Sequence, residues 1–327
     1  MTLAITAIVV SYNSAAVLVE CICALREHLG VDQVIVVDNA SLDESVVVAR
    51  GLGAEVIANR SNIGFGAACN LGVRAATHEV VMFVNPDVCI TSADRKALSE
   101  FAARTPLGLV APRALVVGEP GHEELGLRQV LPWPFSVARE ALGPMLPREV
   151  SGHRGGALGL PGSQRWLSGA LLIVARSEFI GLGGFDERLF LYYEDMELSR
   201  RYLNSGFPIS VTDAITGRHA LGGSSGPTDA PSATVSAASA MSSIEVVGII
   251  HGFRSARCAW ILYRDARRLA TVLLWLAARG PLSARGQRKL REFRSTQAAA
   301  TALLANSVCH YPLVKTFSQD LDGFFHR

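Results

Sequence analysis

The chain has 327 residues, 49% of them hydrophobic and 18% charged, enough for one large α/β domain and an appendage. A net charge of +2 gives no global reason to bind nucleic acid, although basic residues dominate from Arg254 to Arg294, with Asp265 and Glu292 nearly alone against them. No apolar run reaches the roughly 18–20 residues of a bilayer span, and Thr2 to Tyr12 lacks the positive stretch of a secretion signal.

Leu3 to Val10 is a continuous β-branched and aliphatic run, the pattern of a strand buried on both faces. A helix is predicted from Ser14 to His28, then a second buried strand from Gln33 to Asp38 and a helix through Leu42 to Leu52. Ala54 to Ala58 reads as a short third strand, Gly66 to Ala76 as a helix, and Glu79 to Val84 as a fourth strand. Such alternation predicts a parallel, doubly wound sheet, whose ligands bind beyond the carboxyl ends of the strands. Polar residues collect at those ends: Tyr12 and Asn13, Asp38 and Asn39, Arg60 and Asn62, then Asn85 and Asp87.

Gly118 to Gln164 is rich in Gly, Pro and Arg and reads as loops and short helices over one face of the sheet. Trp166 to Val174 returns to strand character, Glu194 to Leu203 is a helix, and Gly206 to Val211 leads to His219. Ser224 to Ser243 has the composition of a linker or mobile loop. Six cysteines without C-x-x-C spacing read as buried free thiols in a reducing cytoplasm.

The acidic pair Glu194-Asp195 follows two tyrosines. Charges there are hard to place in a core and suit the mouth of a cleft, where a carboxylate can act as general base. Asn85-Pro86-Asp87 ends a very apolar strand; one Asp on a Pro-stiffened corner can hold a hard divalent cation shared with substrate phosphates, or can be a plain turn. Asp38 can accept from a nucleobase or ribose, or serve as a turn residue. Asn62 to Asn70, with Gly64, Phe65 and Gly66, is glycine-rich and opens a helix, a place for phosphate or an ordinary tight turn. It does not fit G-x-G-x-x-G, which counts against a dinucleotide-dependent oxidoreductase. Trp166-Leu167-Ser168-Gly169 can set an aromatic over a sugar face, or simply begin a strand. His219 is a ligand or a structural histidine. The C-terminal segment interleaves Trp260, Ile261, Leu269 and Leu273 with Arg254, Arg257, Arg264 and Arg268. It reads either as basic amphipathic helix for an anionic membrane surface or as helices packed with solvated Arg faces. A homodimer through these helices is a further expectation, although no heptad seam marks it.

Taken in order, these motifs resemble family 2 inverting glycosyltransferases of the GT-A fold, particularly bacterial rhamnosyltransferase-like members. The matching pieces are Val10-Ser11-Tyr12-Asn13, Val37-Asp38-Asn39-Ala40-Ser41, Asn62 to Gly66 with Asn70, Asn85-Pro86-Asp87-Val88, Trp166 to Ala170, Gly183 to Glu187, Tyr193-Glu194-Asp195, and His219 with Gly222 to Ser225. The resemblance runs from residue 5 to about 225 and is weaker beyond. It implies a mostly parallel central sheet flanked by helices, a helical C-terminal extension, and a nucleotide-diphosphate sugar donor with Mg²⁺ or Mn²⁺. Residues 1–225 would be the catalytic domain, with 1–117 binding the nucleotide sugar and 118–225 the acceptor; 226–245 would be the linker and 246–327 the helical region.

Under the resemblance, Tyr12, Asp38 and Asn62 hold base and ribose, and Asn13, Asn39, Arg60, Gly64, Phe65, Asn70 and Asn85 complete the nucleotide-sugar set. Asp87 ligates the metal with His219. Asp195 is the general base, and Glu194 beside it shapes the acceptor pocket with Trp166, Ser168 and Gly169. The fuller motif is Asp-x-Asp; here Asn85 holds the first position, one carboxylate fewer. The implied acceptor is a glycan or polyprenyl-linked saccharide in cell-wall or surface polysaccharide synthesis, met at the inner face of the membrane. The donor implied first is dTDP-rhamnose, then a UDP-hexose or UDP-galactofuranose. A non-catalytic nucleotide-sugar-binding protein is the competing class, disfavoured by intact Asp87, Asp195 and His219. A nucleotidyltransferase would need a Gly-rich basic loop where Ser11-Tyr12-Asn13-Ser14 stands.

Overall fold

The computed structural model describes residues 3–103, 105–117, 123–130, 133–142, 164–220, 233–277, 287–288, 290–292, 294–296, 298–299 and 311–319. The chain divides into two compact units. The first comprises Met1–Arg128, Arg165–Asp186 and Glu194–Asp229; the second comprises Gln129–Gln164, Glu187–Tyr193 and Ala230–Arg327.

The first unit opens with the expected alternation: β1 (Ile5–Ser11), α1 (Ala15–Glu27), β2 (Gln33–Asp38), α2 (Ser45–Gly51), β3 (Glu55–Ala58), α3 (Phe65–Ala75) and β4 (Val80–Val84). It continues through β5 (Val88–Ala93), α4 (Arg95–Ala102), β6 (Leu109–Pro112), β7 (Ala114–Val117), β8 (Glu123–Leu125) and β9 (Leu127–Val130). After α5 (Trp133–Leu142), a helix of the second unit, come β10 (Gln164–Leu167), β11 (Leu171–Ala175), α6 (Arg176–Gly181), α7 (Glu194–Asn204), β12 (Ile209–Thr212) and β13 (Ile215–His219). The strand expected over Trp166 to Val174 is therefore two, β10 and β11, separated by a turn at Ser168 to Ala170.

Seven strands form the main sheet in the order β12-β6-β11-β4-β1-β2-β3. β1 pairs in parallel with β2 and β4, β2 with β3, and β6 with β12, whereas β11 runs antiparallel to both β4 and β6. The α/β class with a mostly parallel sheet is thus as expected. β1 and β4 are buried at every position, as strands covered by helices on both faces must be. Alternate side chains feed two cores: Ile5, Ala7 and Val9 join one with Leu18, Ile22 and Leu25 of α1, and Ile8 and Val10 join the other with Phe83 and Phe185. Leu18, Cys21, Ile22 and Leu25 are the buried i, i+3, i+4, i+7 stripe that makes α1 a helix against the sheet.

A second sheet, β5-β13-β7-β8, carries the chemistry of one corner. β13 pairs antiparallel with β5, setting His219 opposite Val88, and parallel with β7, setting His219 opposite Val117. β8 returns antiparallel along β7.

The second unit contains α5, α8 (Ala233–His251), α9 (Phe253–Ala277) and α10 (Pro312–Gln319). Its core gathers Val137, Ala141, Ala237, Ala240, Met241, Ile244, Ala259, Trp260, Tyr311 and Val314. Buried Glu245 accepts from the N–H groups of Leu313 and Val314 (3.1 and 3.2 Å), so a carboxylate caps the first turn of α10. The composition of Ser224 to Ser243 misleads here. Residues 226–232 of the expected linker lie outside the described residues, as do Gly222 to Ser225, but from Ala233 the chain is helix α8. Alanine is the best helix former, small residues permit close packing, and the hydroxyls are satisfied internally: Ser242 Oγ donates to Leu191 O and Ser243 Oγ to Ala240 O. Of the cysteines, Cys21 and Cys69 are buried, and burial pushes both thiols well up; Cys23 and Cys89 are half-buried, Cys258 is exposed against expectation, and Cys309 lies outside the described residues.

Candidate active site

At the carboxyl ends of β1, β2 and β3 three loops are tied into one floor. Asp38, 2% exposed, accepts from the N–H of Ser41 at 2.9 Å and from its hydroxyl at 2.5 Å. Asn13, with φ of +53°, donates its N–H to Ser41 Oγ and accepts from Leu42 N through Oδ1, both at 2.8 Å. Asn39 donates to Gly64 O at 3.1 Å and accepts from Asn59 Nδ2 at 2.9 Å. Asp38 and Asn39 therefore build the floor, and the turn-forming role of Asp38 is realised. Tyr12 and Arg60 remain exposed above it.

The glycine-rich segment serves as the entry to α3. Asn62 Oδ1 accepts from Gly64 N at 3.0 Å, and Gly64 sits at φ of +87°, a left-handed value at which a side chain is strained. Phe65 is half-buried, its ring 6.0 Å from that of Phe185. Asn70, expected in the nucleotide set, is buried and has its amide on the Phe185 backbone, donating to Phe185 O at 3.0 Å and accepting from Phe185 N at 2.9 Å. Its amide is turned to the Gly183–Phe185 loop because that loop exposes backbone groups inside the core, which must be paired.

Asp87 starts the second sheet, and its carbonyl accepts from Ala220 N at 3.0 Å. Its Oδ1 lies 3.2 Å from His219 Nε2. Neighbouring ligands of one divalent ion at about 2.1 Å would sit about 3 Å apart, so this pair fits a shared cation. Among the described residues no group of three or more His, Cys, Asp or Glu could hold a metal, so the remaining ligands would come from substrate phosphates and water. Asn85, half-buried, anchors the corner through its backbone, donating to Ala170 O and accepting from Val88 N.

Glu124 on β8 escaped the sequence reading. Its Oε2 lies 2.5 Å from His219 Nδ1, and its Oε1 accepts from Ser168 Oγ at 2.7 Å and Arg128 Nη2 at 2.6 Å. Arg128 in turn lies over the Trp166 ring at 5.5 Å, so one face of this indole is occupied by a guanidinium, and its Nε1 is buried with no hydrogen-bond partner among the described residues. Burial alone would raise the Glu124 pKa, but His219, Arg128 and Ser168 hold it at about 2. Burial alone would lower that of His219, but Asp87 and Glu124 lift it to about 9. The only sequence signal was an acidic pair, Glu123-Glu124, in an aperiodic stretch.

Asp195 stands in the first turn of α7. Its Oδ2 accepts from Gly169 N at 2.8 Å and its Oδ1 from Met196 N at 2.8 Å. A Cβ on Gly169 would meet Asp195 Oδ2 at 3.2 Å, so the glycine lets the backbone approach this closely. Burial pushes the Asp195 pKa up to about 6, against the two N–H bonds that lower it. Glu194 is buried, with Oε2 unpartnered among the described residues; burial and then the Asp195 charge raise its pKa well above the ordinary carboxylate range. Burial thus raises both adjacent carboxylates, and the Gly169 and Met196 N–H groups oppose it at Asp195. The sequence candidates Asp87, His219, Ser168, Gly169 and Asp195 are brought together through Glu124, while the side chains of Asp38, Asn39 and Asn70 are hydrogen-bonded within the surrounding loops.

Residues 6–154 match the family model for glycosyl transferase family 2. The chain is 32% identical over 191 residues to N-acetylglucosaminyl-diphospho-decaprenol L-rhamnosyltransferase of Mycobacterium tuberculosis H37Rv, covering 53% of this chain and 62% of that protein. It is 27% identical over 200 residues to the low-salt glycan biosynthesis hexosyltransferase Agl10 of Haloferax volcanii, covering 57% of this chain and 59% of that protein. The chain thus spans about 60% of the length of these relatives. Among solved structures it is similar to the mannosyltransferase PcManGT from Pyrobaculum calidifontis in complex with GDP-Man and Mn²⁺, at 18% identity and TM-score 0.49, over 97% of this chain and 84% of that one.

Proposed function

We propose that this chain is a glycosyl transferase family 2 enzyme of the rhamnosyltransferase-like branch, an inverting transferase that moves a sugar from a nucleotide-diphosphate donor to a glycan or polyprenyl-linked saccharide, supported by the family match over residues 6–154 and the mycobacterial relative. The observation that carries this reading is the base corner. Asp195 is held by the Gly169 and Met196 N–H groups with its pKa pushed up to about 6, and contacts through Ser168, Glu124 and His219 connect that turn to Asp87.

The acceptor hydroxyl oxygen attacks the anomeric carbon from the face opposite the diphosphate. The new glycosidic bond forms as the bond to the diphosphate oxygen breaks, and the hydroxyl proton passes to the Asp195 carboxylate. No covalent intermediate forms, so one base suffices, unlike the two-carboxylate scheme of retaining hydrolases. Asp87 and His219 are the residues that would hold Mg²⁺ or Mn²⁺, which would neutralise charge developing on the leaving diphosphate. Tyr12 and Arg60, exposed above the loop floor, are the side chains offered to the nucleotide. The best donor is dTDP-L-rhamnose, supported by the similarity to the mycobacterial rhamnosyltransferase; a UDP-hexose or UDP-galactofuranose is second, supported by the hexosyltransferase relative. A lipid-linked acceptor would be met at the inner face of a membrane, and no helix among the described residues is long and apolar enough to cross one.

Calorimetric titration with dTDP and UDP, each with and without Mn²⁺, tests the reading. Metal-dependent binding that Asp87→Ala abolishes is expected, with dTDP the tighter. A folded protein that binds neither nucleotide removes the transferase.

A further inference from the structure

We propose that Glu124 is the positioning residue of this site: it holds His219 with Nε2 facing Asp87 and, through the same carboxylate, fixes that corner to the turn that orients Asp195. The chemical consequence rests on the transferase reading above; the geometry does not.

The side chain is 10% exposed and has three partners. Oε2 receives His219 Nδ1 at 2.5 Å, while Oε1 receives the Ser168 hydroxyl at 2.7 Å and Arg128 at 2.6 Å. One residue beyond Ser168, the Gly169 N–H donates to Asp195 at 2.8 Å. The ordered series Asp87, His219, Glu124, Ser168, Gly169, Asp195 therefore connects the diphosphate end of the site to the base by short contacts and one peptide unit. A plain structural ion pair with Arg128 would need one oxygen. Here the second oxygen is spent on the far nitrogen of the imidazole that faces Asp87. A carboxylate on the outer nitrogen of a ligand histidine fixes the ring's orientation and basicity. In-line displacement needs the leaving group and base held in register, and a misplacement of about 1 Å can cost about a hundredfold.

Glutamine is the informative substitution. It has one accepting and one donating end, so it can satisfy His219 or the Ser168–Arg128 pair but not both. In the full chain, Glu124→Ala and Glu124→Gln are expected to weaken Mn²⁺ binding in the presence of the nucleoside diphosphate by roughly 10–100-fold. kcat should fall by at least about tenfold. Ser168→Ala, which leaves the His219 contact intact, is expected to keep Mn²⁺ affinity within about twofold while lowering kcat. Independently of any ligand, the proton spectrum of the metal-free protein is expected to show a far-downfield ring N–H of His219, assigned against His219→Asn and lost in Glu124→Ala. Mn²⁺ affinity unchanged in both Glu124 variants overturns the proposal, as does absence of that resonance from the unsubstituted protein. If the resonance behaves as expected but no form binds Mn²⁺ or nucleotide, the transferase reading falls and the positioning of His219 by Glu124 stands.

Discussion

At Asp195 two opposing influences meet: burial favours the neutral acid, and the Gly169 and Met196 N–H groups favour the carboxylate. A general base works only in its deprotonated form. With a pKa of about 6, it is mostly protonated below that pH, so kcat/KM is expected to fall about tenfold per unit as pH drops under 6. A pH–rate profile with its acidic limb near an ordinary carboxylate value would mean that another group is the base. Asp195→Asn should lower kcat by about 10²–10⁴-fold, the usual range for losing a positioned base. Glu194 is pushed the same way, by burial first and by the Asp195 charge second, which favours its neutral acid; Glu194→Gln keeps that uncharged shape. Turnover of that variant is expected to stay within about tenfold of the unsubstituted enzyme, whereas an ionised Glu194 in an essential role would make it far worse. The expectation that Asp195 rather than Glu194 is the base comes from the resemblance at the sequence level; the N–H partners of the Asp195 carboxylate, Gly169 and Met196, become visible only in the fold.

Among elements, the seven-residue β1 and five-residue β4 were plain in the sequence because burial on both faces demands an unbroken apolar run. The turn that splits β10 from β11 was not, since Leu167, Ala170 and Leu171 continue the apolar character through it and only Ser168-Gly169 interrupts. Helix α8 was missed because Ser, Ala and Thr have one composition in linkers and in tightly packed helices, and packing partners decide between them. Glu124 was invisible for a different reason: its meaning depends on the β8-β7-β13 register, which joins residues about a hundred positions apart. Asn70 shows how a side chain that looks functional can join elements instead. Asn70→Ala leaves the Phe185 N–H and C=O buried without these partners, beside the Phe83, Phe179 and Phe185 rings, whose centroids lie 5.0–5.4 Å apart. Chemical denaturation should show a loss of about 1–3 kcal/mol. A fully stable variant with lost nucleotide binding would restore Asn70 to the ligand set.

On the scale of the whole molecule, α9 presents an exposed surface that mixes apolar and basic side chains. Ile261, Leu269, Val272 and Leu273 are 40–59% exposed, with Arg254, Arg257 and Arg268 exposed along the same helix. Arg264 and Arg268 share Asp265, so the basic excess is partly offset. If this face meets anionic lipid, co-sedimentation with phosphatidylglycerol vesicles should weaken with salt, and Leu269→Asp with Val272→Asp should abolish it without affecting nucleotide binding. Equal binding to neutral vesicles, or none, would rule out that surface. The main sheet has a further consequence for how the chain is made. β4 is a fully buried strand, yet its neighbour on one side is β11, which leaves the ribosome about ninety residues later. At about 5–20 residues per second, the nascent sheet would present an unpaired apolar edge for roughly 5–20 s. A fragment ending at residue 154, where the matched family segment stops, never acquires β11 and should aggregate through that edge. Synthesis is therefore the interval in which this protein most needs a chaperone.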